Sequence, residues 1–228
     1  KSRSEFADSY GVASDMMQAT ATGKGTRILS SQRSHMQGSF QETGGALDVA
    51  INGEGMLVVR RPETPEKLEF TRNGAIELAL DGKLVSSDGH EFLSTEEQPI
   101  TIPFAVEDAN GQVRRLSQIN IKGDGTVQTS YGQGIDFDVA KLSLALFADE
   151  SKLAADGRNY FLATPGSGAP EIVAPLGNRS GVLQPGFLET SNVDITDELN
   201  LMIRAQHAVS GVSRLMHSAV DIVRRCSR

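Results

Sequence analysis

The fold is decided by a stretch in which strands and turns alternate, Phe70-Thr-Arg-Asn-Gly-Ala-Ile-Glu-Leu-Ala-Leu-Asp-Gly-Lys-Leu-Val-Ser-Ser-Asp-Gly89. An Asn-Gly pair lies at 73–74, and Asp-Gly pairs lie at 81–82 and 88–89. Both kinds of pair accept the positive φ angles of tight hairpin turns. The segments between them are short and rich in apolar residues, as expected for strands of a sheet that has one buried face and one solvent-exposed face. The stretch therefore predicts short strands joined by tight turns.

The same pattern continues on both sides of this stretch. Asn-Gly pairs recur at 52–53 and 110–111, and Asp-Gly pairs recur at 124–125 and 156–157. Between the turns lie further runs typical of strands: Ala46-Leu-Asp-Val-Ala-Ile51, Met56-Leu-Val-Val59, Ile119-Asn-Ile121 and Val139-Ala-Lys-Leu-Ser-Leu-Ala-Leu-Phe147. We predict a mainly β fold with a turn-rich β body at 24–188. Residues 1–23 are rich in Ser, Ala and Thr, and we expect an N-terminal arm that becomes ordered on contact with neighbours.

The last part of the chain, 189–228, has a different period. Asp194 is placed to cap a helix, with Asp197 in the first turn and Arg225 near the end, where their charges suit the helix dipole. No Pro interrupts the sequence from Ile195 onward. A helix of ~30 residues would be ~45 Å long, which is longer than a domain of this size is wide. We predict one long C-terminal α-helix.

Three stripes run along this predicted helix. Seam 1 is apolar at every position, with the alternating spacings of four and three that coiled coils use: Leu201, Ala205, Ala208, Val212, Leu215, Ala219 and Ile222. Seam 2 is rotated by ~100° and is interrupted only by Gln206 and Ser213: Ile195, Leu199, Met202, Val209, Met216, Val220 and Val223. The polar stripe has no large apolar side chain: Asp197, Asn200, Arg204, His207, Gly211, Arg214, Ser218, Asp221 and Arg225.

Two seams cover about twice the arc that a helix needs when it packs on one domain. The helix therefore requires at least two neighbouring elements. One interpretation is that it lies along the β body, which would cover both seams. The other is that its partners are a preceding N-terminal segment and other copies of the chain. The chain begins at Lys1 and not at Met, so we expect such a segment to be missing from this sequence.

Composition disfavours several classes of partner. The chain has 228 residues, with 22 basic and 29 acidic side chains and a net charge of -7. Because affinity for nucleic acid comes from clustered Lys and Arg, we predict no nucleic-acid partner. No run of 18 apolar residues and no signal-peptide pattern occurs, so we predict no membrane insertion.

The residues that usually carry chemistry are few and scattered. Cys226 is the only cysteine, and the histidines are His35, His90, His207 and His217, without the spacing that puts two ligands on one helix turn. We predict no metal site, no cofactor, no catalytic residue and no enzymatic activity. Two alternatives stay open: a hydrolase, although no motif places a Ser-His-acid set, and a β-rich adhesin or phage-tail-like assembly module, which shares short strands and self-association.

Four segments are specific enough to compare with known families: Leu47-Asp-Val-Ala-Ile-Asn-Gly-Glu-Gly55; Phe70-Thr-Arg-Asn-Gly74 with Leu80-Asp-Gly-Lys-Leu-Val85; Ile121-Lys-Gly-Asp-Gly-Thr-Val127; and Gly181-Val-Leu-Gln-Pro-Gly-Phe-Leu-Glu-Thr-Ser-Asn-Val-Asp194. In this order they resemble the bacterial flagellar axial proteins of the rod and hook over nearly the whole chain. The residues that match the family motif are Asp48, Gly53, Gly55, Thr71, Arg72, Asn73, Gly74, Ser191, Asn192, Val193 and Asp194. The N-terminal helix of that family is absent from this sequence. The short spacing between Val85 and Ile121 is rod-like or compact-hook-like, whereas the opening Lys1-Ser-Arg-Ser-Glu-Phe-Ala-Asp8 is more hook-like.

The resemblance implies a structural subunit involved in motility. Subunits of the family are exported through the flagellar type III apparatus and polymerise under a cap, with terminal helices in an inner tube and β domains in an outer shell. It therefore implies a helical homo-oligomer, contacts with adjacent rod or hook proteins, and a location in the flagellar basal body or hook. It implies no cofactor.

Overall fold

The computed structural model describes residues 2–11, 22–33, 36–107, 112–132, 136–177 and 179–226. The chain divides into two compact units, Lys1–Ser191 and Asn192–Arg228. The first contains the described strands and the second contains the helix α1, Ile195–Cys226. The predicted fold class, mainly β with a long C-terminal helix, is confirmed. The predicted boundary between 188 and 189 falls inside the last strand, and the predicted domain limits stay a prediction.

In chain order, the strands of the described residues are β1 (Ser2–Gly11), β2 (Thr22–Arg33), β3 (Phe40–Glu42), β4 (Val49–Asn52), β5 (Met56–Arg60), β6 (Leu68–Thr71), β7 (Ile76–Leu78), β8 (Leu84–Ser86), β9 (Glu91–Phe92), β10 (Ala105–Glu107), β11 (Val113–Ile121), β12 (Thr126–Tyr131), β13 (Asp136–Lys141), β14 (Leu144–Leu146), β15 (Ala154–Gly157), β16 (Tyr160–Leu162), β17 (Glu171–Val173), β18 (Val182–Pro185) and β19 (Phe187–Glu189). A single 3-10 turn, Glu150–Lys152, lies between β14 and β15.

The predicted arm at 1–23 contains β1, and β2 crosses its predicted end. The two strands pair antiparallel, from Ser2 opposite Arg33 to Gly11 opposite Thr22. Apolar patterning gave no sign of these strands, because a ladder is made by backbone N–H and C=O groups and needs no particular side chain. Whether the arm becomes ordered on contact with neighbours stays a prediction.

Two larger sheets form most of the β body. In the central sheet the strand order is β15-β16-β6-β5-β9-β8-β7, with β14 paired to β5 and β17 paired to β14. The second sheet has the order β10-β11-β12-β13. Two short pairs, β18–β4 and β19–β3, bring the end of the β body back to its beginning. The last strands before α1 therefore lie beside strands that precede residue 53.

Three of the four Asp-Gly pairs behave as predicted, since those at 81–82, 88–89 and 124–125 lie in the β7–β8, β8–β9 and β11–β12 connections. The pair Asp156-Gly157 ends β15 instead, and the turn to β16 is Arg158-Asn159, with φ of 47° and 67°. All four Asp-Gly glycines have φ between 81° and 93°. The Asn-Gly pairs differ. Those at 52–53 and 73–74 do not join strands that pair with each other, so the hairpin prediction is wrong there; these glycines serve close backbone approaches instead. The pair at 110–111 lies outside the described residues.

The core explains why β5 is apolar at successive positions. Leu57 and Val59 belong to a large cluster shared by both sheets, whereas Met56 and Val58 belong to a smaller cluster on the opposite face. Because successive side chains of a strand point to opposite faces, a strand covered on both sides must be apolar throughout. Within the large cluster, the β4–β18 pair contributes Val49, Ile51 and Leu183. All four residues of β5 named above are at most 1% exposed.

α1 begins where the sequence predicts. Oδ1 of Asp194 accepts hydrogen bonds from the backbone N–H groups of Thr196 at 2.8 Å and Asp197 at 3.4 Å, which confirms the predicted cap. Acidic residues lie in the first turn, and Arg224 and Arg225 lie in the last. At 32 residues the helix is ~48 Å long. None of the helices among the described residues has the combination of length and apolarity that crossing a membrane requires.

Candidate assembly surface

The seams of α1 are its most conspicuous feature. No residue of the helix is buried. Leu201 of seam 1 is 64% exposed, Leu215 is 70% exposed, and Val209 of seam 2 is 70% exposed. A helix in water normally places such side chains against a partner, because each buried apolar side chain contributes ~1.5–3 kcal/mol. In the part of the chain that the structure describes, both apolar surfaces are therefore exposed.

Pattern reasoning missed one apolar side chain of α1. Ile203 belongs to neither seam and is 47% exposed. It lies opposite seam 1, because two residues along a helix rotate the side chain by ~200°. The neighbouring positions on that side, Thr196, Ser210 and His217, are polar or titratable, so no third seam forms.

The motif residues of the β body form a joint around the β4–β18 pair, which we call the motif joint: Asp48–Gly55, Thr71–Gly74, Gly123 and Gly181–Glu189. Gly53 and Gly181 face each other across the pair. A Cβ atom at Gly53 would lie 2.9 Å from Cα of Gly181, and one at Gly181 would lie 2.7 Å from the carbonyl oxygen of Asn52. Only glycine permits this separation, because real Cβ atoms do not come so close to backbone.

Arg72 holds the motif joint together through its whole guanidinium group. Its Nε lies 2.8 Å from Oε2 of Glu189, and its two terminal nitrogens donate to the carbonyl oxygens of Gly55 at 3.0 Å, Gly53 at 3.2 Å and Ile51 at 3.4 Å. The side chains of Arg72 and Glu189 are only 15% and 10% exposed. A planar fork with several donors suits such a site better than a single ammonium group.

The residues on either side of Arg72 fix the backbone of the same segment. The Thr71 hydroxyl donates to the carbonyl of Asn159 at 3.0 Å and accepts from the N–H of Asn73 at 3.1 Å. Oδ1 of Asn73 accepts from the N–H of Ala75 at 3.2 Å. Gly74 accepts at its carbonyl from the N–H of Val49 at 3.0 Å, and a Cβ atom at Gly74 would overlap the carbonyl oxygen of Val49. The Thr-Arg-Asn-Gly motif thus fastens β6 to β4.

The β11–β12 turn and the segment around Asp48 also contact the rest of the motif joint. The N–H of Leu183 donates to the carbonyl of Gly123 at 3.0 Å, which ties β18 to the β11–β12 turn. The carbonyl of Asp48 accepts from the N–H of Gly186 at 2.8 Å, and its carboxylate accepts from the Thr43 hydroxyl at 2.5 Å. The motif residues between 48 and 74 therefore meet in space. Ser191, Asn192, Val193 and Asp194 lie at the division between the two units, where Asp194 caps α1.

Two carboxylates near Arg72 were missed by the sequence prediction. Glu189 is its ion-pair partner, and Glu150 is close enough to interact electrostatically. Burial raises the pKa of Glu150; the charge of Arg72 opposes that shift, and Glu54 and Glu189 add to it. No local signal could have revealed the Arg72–Glu189 pair, because 117 residues separate its members.

The candidate residues for chemistry are divided between the β body and α1. His207, His217 and Cys226 are exposed on α1, and His35 lies outside the described residues. His90 is buried in a charged cluster, where its Nε2 accepts from Nε of Arg61 at 3.2 Å and its ring packs edge-on against Tyr160. Among the described residues, no group of three or more His, Cys, Asp or Glu side chains is arranged to hold a metal ion.

The β body and α1 are both similar to known families. A family model described as the flagellar hook protein FlgE/F/G D1 domain matches residues 50–129, and one described as flagellar basal body rod FlgEFG protein C-terminal matches residues 184–225. The flagellar basal-body rod protein FlgG of Buchnera aphidicola subsp. Baizongia pistaciae is 34% identical over 205 residues, covering 90% of this chain and 73% of the relative. The FlgG of Agrobacterium fabrum is 32% identical, covering 88% and 71%. The FlgF of Caulobacter vibrioides is 29% identical, covering 84% and 69%.

Proposed function

The chain belongs to the flagellar hook and rod axial protein family, and from this premise we propose that it acts by polymerising into a helical tube. It is a structural subunit of the rod or hook, located in the flagellar basal body. In the proposed tube, α1 lies in the inner layer and the β body lies in the outer shell. Neighbouring chains cover the two seams. The role is assembly, with no catalytic step.

The observation that carries this proposal is the exposure of both seams on α1. Burial of apolar surface contributes about 25 cal/mol per Å², and the loss of rigid-body freedom and the ordering of side chains oppose it. In a tube each subunit has several neighbours, so each contact can be modest. Contacts related by a helical operator remain open at both ends, which permits growth.

The partners follow from the same premise. Membership of the family supports assembly with other axial proteins. We propose in addition that the chain contacts copies of itself, the export apparatus that delivers it and the cap under which it assembles. The polar stripe of α1, which includes Asn200 and Ser218, then faces away from both covered seams.

Substitution within seam 1 tests this proposal. Leu215→Asp places a charge in the surface that should be buried, whereas Ser218→Asp places the same charge one turn away on the polar stripe. Full-length variants would be expressed in a strain that lacks its own copy, and swimming in soft agar and the presence of hook–basal bodies would be measured. We expect Leu215→Asp to abolish both, and Ser218→Asp to preserve both.

Thermal unfolding of the purified chains provides the control. Both variants should retain the melting transition of the β body, because both sites are exposed on α1. Normal swimming with Leu215→Asp, or equal loss with Ser218→Asp, would contradict the assignment of seam 1.

A further inference from the structure

We propose that the Arg72–Glu189 pair anchors the point at which the chain leaves the β body, so that Arg72 is a positioning residue for assembly. The assembly part of this inference rests on the proposed function. Its structural part concerns only the first unit, whose last strands are β18 and β19. Since α1 follows β19 within a few residues, whatever holds β19 also holds the start of the connection to α1.

The strand that leads out of the β body is weakly held by its own ladder. Among the described strands, β19 pairs with β3 alone, over the three residue pairs from Phe187 opposite Glu42 to Glu189 opposite Phe40. No residue of β3 or β19 is buried. Such a short pair at an edge is expected to open readily, because little apolar surface is lost when it does.

Glu189 supplies the hold that the ladder lacks. One carboxylate oxygen lies 2.8 Å from Nε of Arg72, and the other accepts from the N–H of Gly38 at 2.9 Å. Just beyond it, the N–H and hydroxyl of Thr190 both donate to the carbonyl of Ser39, at 2.8 Å and 2.9 Å. The last residue of β19 is therefore tied to two separate parts of the chain.

Arg72 in turn is bonded to the central part of the β body. It follows β6 in the central sheet, and its donors to the carbonyls of Ile51, Gly53 and Gly55 span the β4–β5 connection. A guanidinium that is 15% exposed and has this many partners is held in place by several charge-assisted hydrogen bonds at once. The pair thus couples the exit strand to the central sheet directly and bypasses the weak β3–β19 ladder.

A second arginine pair of similar geometry serves a different place. Nε of Arg61 lies 2.9 Å from Oε1 of Glu69, which is 3% exposed, and Arg61 also contacts Asp156. Arg61 lies just after β5, Glu69 lies on β6 and Asp156 lies on β15, all in the central sheet. Arg61→Lys therefore perturbs an ion pair to a buried glutamate of the same sheet without touching the exit strand, which makes it a suitable control.

The experiment compares Arg72→Lys with Arg61→Lys in the full-length chain. Lysine keeps the charge but cannot reach Glu189 and three carbonyl oxygens together. Amide hydrogen exchange in dilute chains would be followed at Gly38 and Thr190, beside the exit, and at Leu84 in the central sheet. We expect Arg72→Lys to speed exchange at Gly38 and Thr190 by about tenfold or more relative to Leu84. Arg61→Lys should leave that ratio unchanged.

Swimming of the complemented strain gives the second readout. If Arg72 positions the segment that leaves the β body, Arg72→Lys should reduce swimming more than Arg61→Lys does. The comparison is made between variants whose purified chains have the same melting temperature. Unchanged exchange at Gly38 and Thr190 would overturn the anchor. Faster exchange with swimming equal to that of the control would overturn its role in assembly. Should Arg72→Lys not fold, Glu189→Gln takes its place, since it removes the ion pair and retains an acceptor for Gly38.

The exchange result does not depend on polymerisation. Failure of the proposed function, detected with Leu215→Asp, is therefore distinguishable from failure of the anchor. A normal Leu215→Asp strain together with fast exchange in Arg72→Lys would keep the anchor and reject the inner packing of α1.

Discussion

The β body and α1 contain the same kinds of apolar side chain but use them in opposite ways. Leu57 is fully buried in the central sheet, whereas Leu215 is 70% exposed on α1. The body satisfies its own core and most of its buried polar groups, with closely fitted glycines and a multiply bonded arginine. α1 has its backbone bonds and its N-terminal cap, but none of its residues is buried. The β body buries its own apolar side chains, whereas α1 leaves its apolar side chains exposed.

The largest effect is expected for a substitution that disrupts the packing of the β body. In Gly74→Ala, the new methyl group would overlap the carbonyl oxygen of Val49, and the Val49–Gly74 hydrogen bond would be lost. Neither neighbour is the end of a flexible side chain, so the backbone itself must shift. We expect a loss of about 4 kcal/mol or more in the free energy of unfolding, or failure to fold. Urea unfolding followed by circular dichroism would measure it.

A mild effect of Gly74→Ala would show that the Thr-Arg-Asn-Gly segment is less tightly fitted than the structure indicates. Gly89→Ala is a useful comparison, because its Cβ atom would meet nothing within 4 Å although φ is +85°. It isolates the cost of a positive φ, which should be near 1 kcal/mol.

A pair of leucine truncations compares the two regions directly. Leu57→Ala removes a fully buried side chain and should cost about 3 kcal/mol in the free energy of unfolding. Leu215→Ala removes an exposed one and should change the unfolding of the dilute chain by less than about 0.5 kcal/mol. In the assembled polymer we expect Leu215→Ala to have a larger effect than it has in the dilute chain, because it should weaken the contacts between subunits. Equal costs in the dilute chain would mean that seam 1 is already covered there.

The sequence predicts those parts of this fold that depend on neighbours along the chain. An Asp-Gly pair specifies a turn with the next few residues, and three of the four pairs lie in the turn between two paired strands, with positive φ at glycine. The cap at Asp194 and the stripes of α1 depend on spacings of three and four residues. Such features need no knowledge of the distant chain.

Features that depend on distant partners were missed or misinterpreted. Asn73-Gly74 has the composition of a hairpin turn, but its glycine is needed because Val49 lies against it. The Arg72–Glu189 pair joins residues whose separation in sequence carries no periodic signal. The β1–β2 ladder is made of backbone bonds, so the side chains of 1–23 gave no warning of it. The family resemblance identified most residues of the motif joint, but it did not explain why these residues are required.

A smaller effect is expected for a substitution on the polar stripe of α1. Gly211 lies on the polar stripe, and a Cβ atom there would meet nothing within 4 Å. Gly211→Ala should stabilise the helix by about 0.5–1 kcal/mol, because alanine loses less backbone entropy. The ellipticity at 222 nm should become more negative, while the melting temperature of the β body stays constant.

Assembly of Gly211→Ala adds a second measurement. Swimming should be normal if the polar stripe faces away from the covered seams. Greater helicity combined with loss of swimming would contradict that placement, because it would show that a neighbour approaches Gly211 closely.

The smallest expected effect tests the electrostatics of the motif joint. Burial raises the pKa of Glu150 above its ordinary value of 4.5, so the folded β body favours the neutral acid. The stability contributed by this group is present below pH 4.5 and is lost as the pH rises through the raised pKa. Glu150→Gln is neutral at every pH and should therefore stabilise the body at pH 7, while matching the unmodified protein near pH 4. Because the side chain remains partly in contact with solvent, we expect a stabilisation of about 0.5 kcal/mol, or a rise of about 1–2 °C in melting temperature.

Asp221→Asn is the control, because it removes an exposed carboxylate from α1 instead. Thermal melts between pH 4 and pH 8 should show no pH-dependent gain in melting temperature for it. A gain for both variants would attribute the effect to net charge and not to the site beside Arg72.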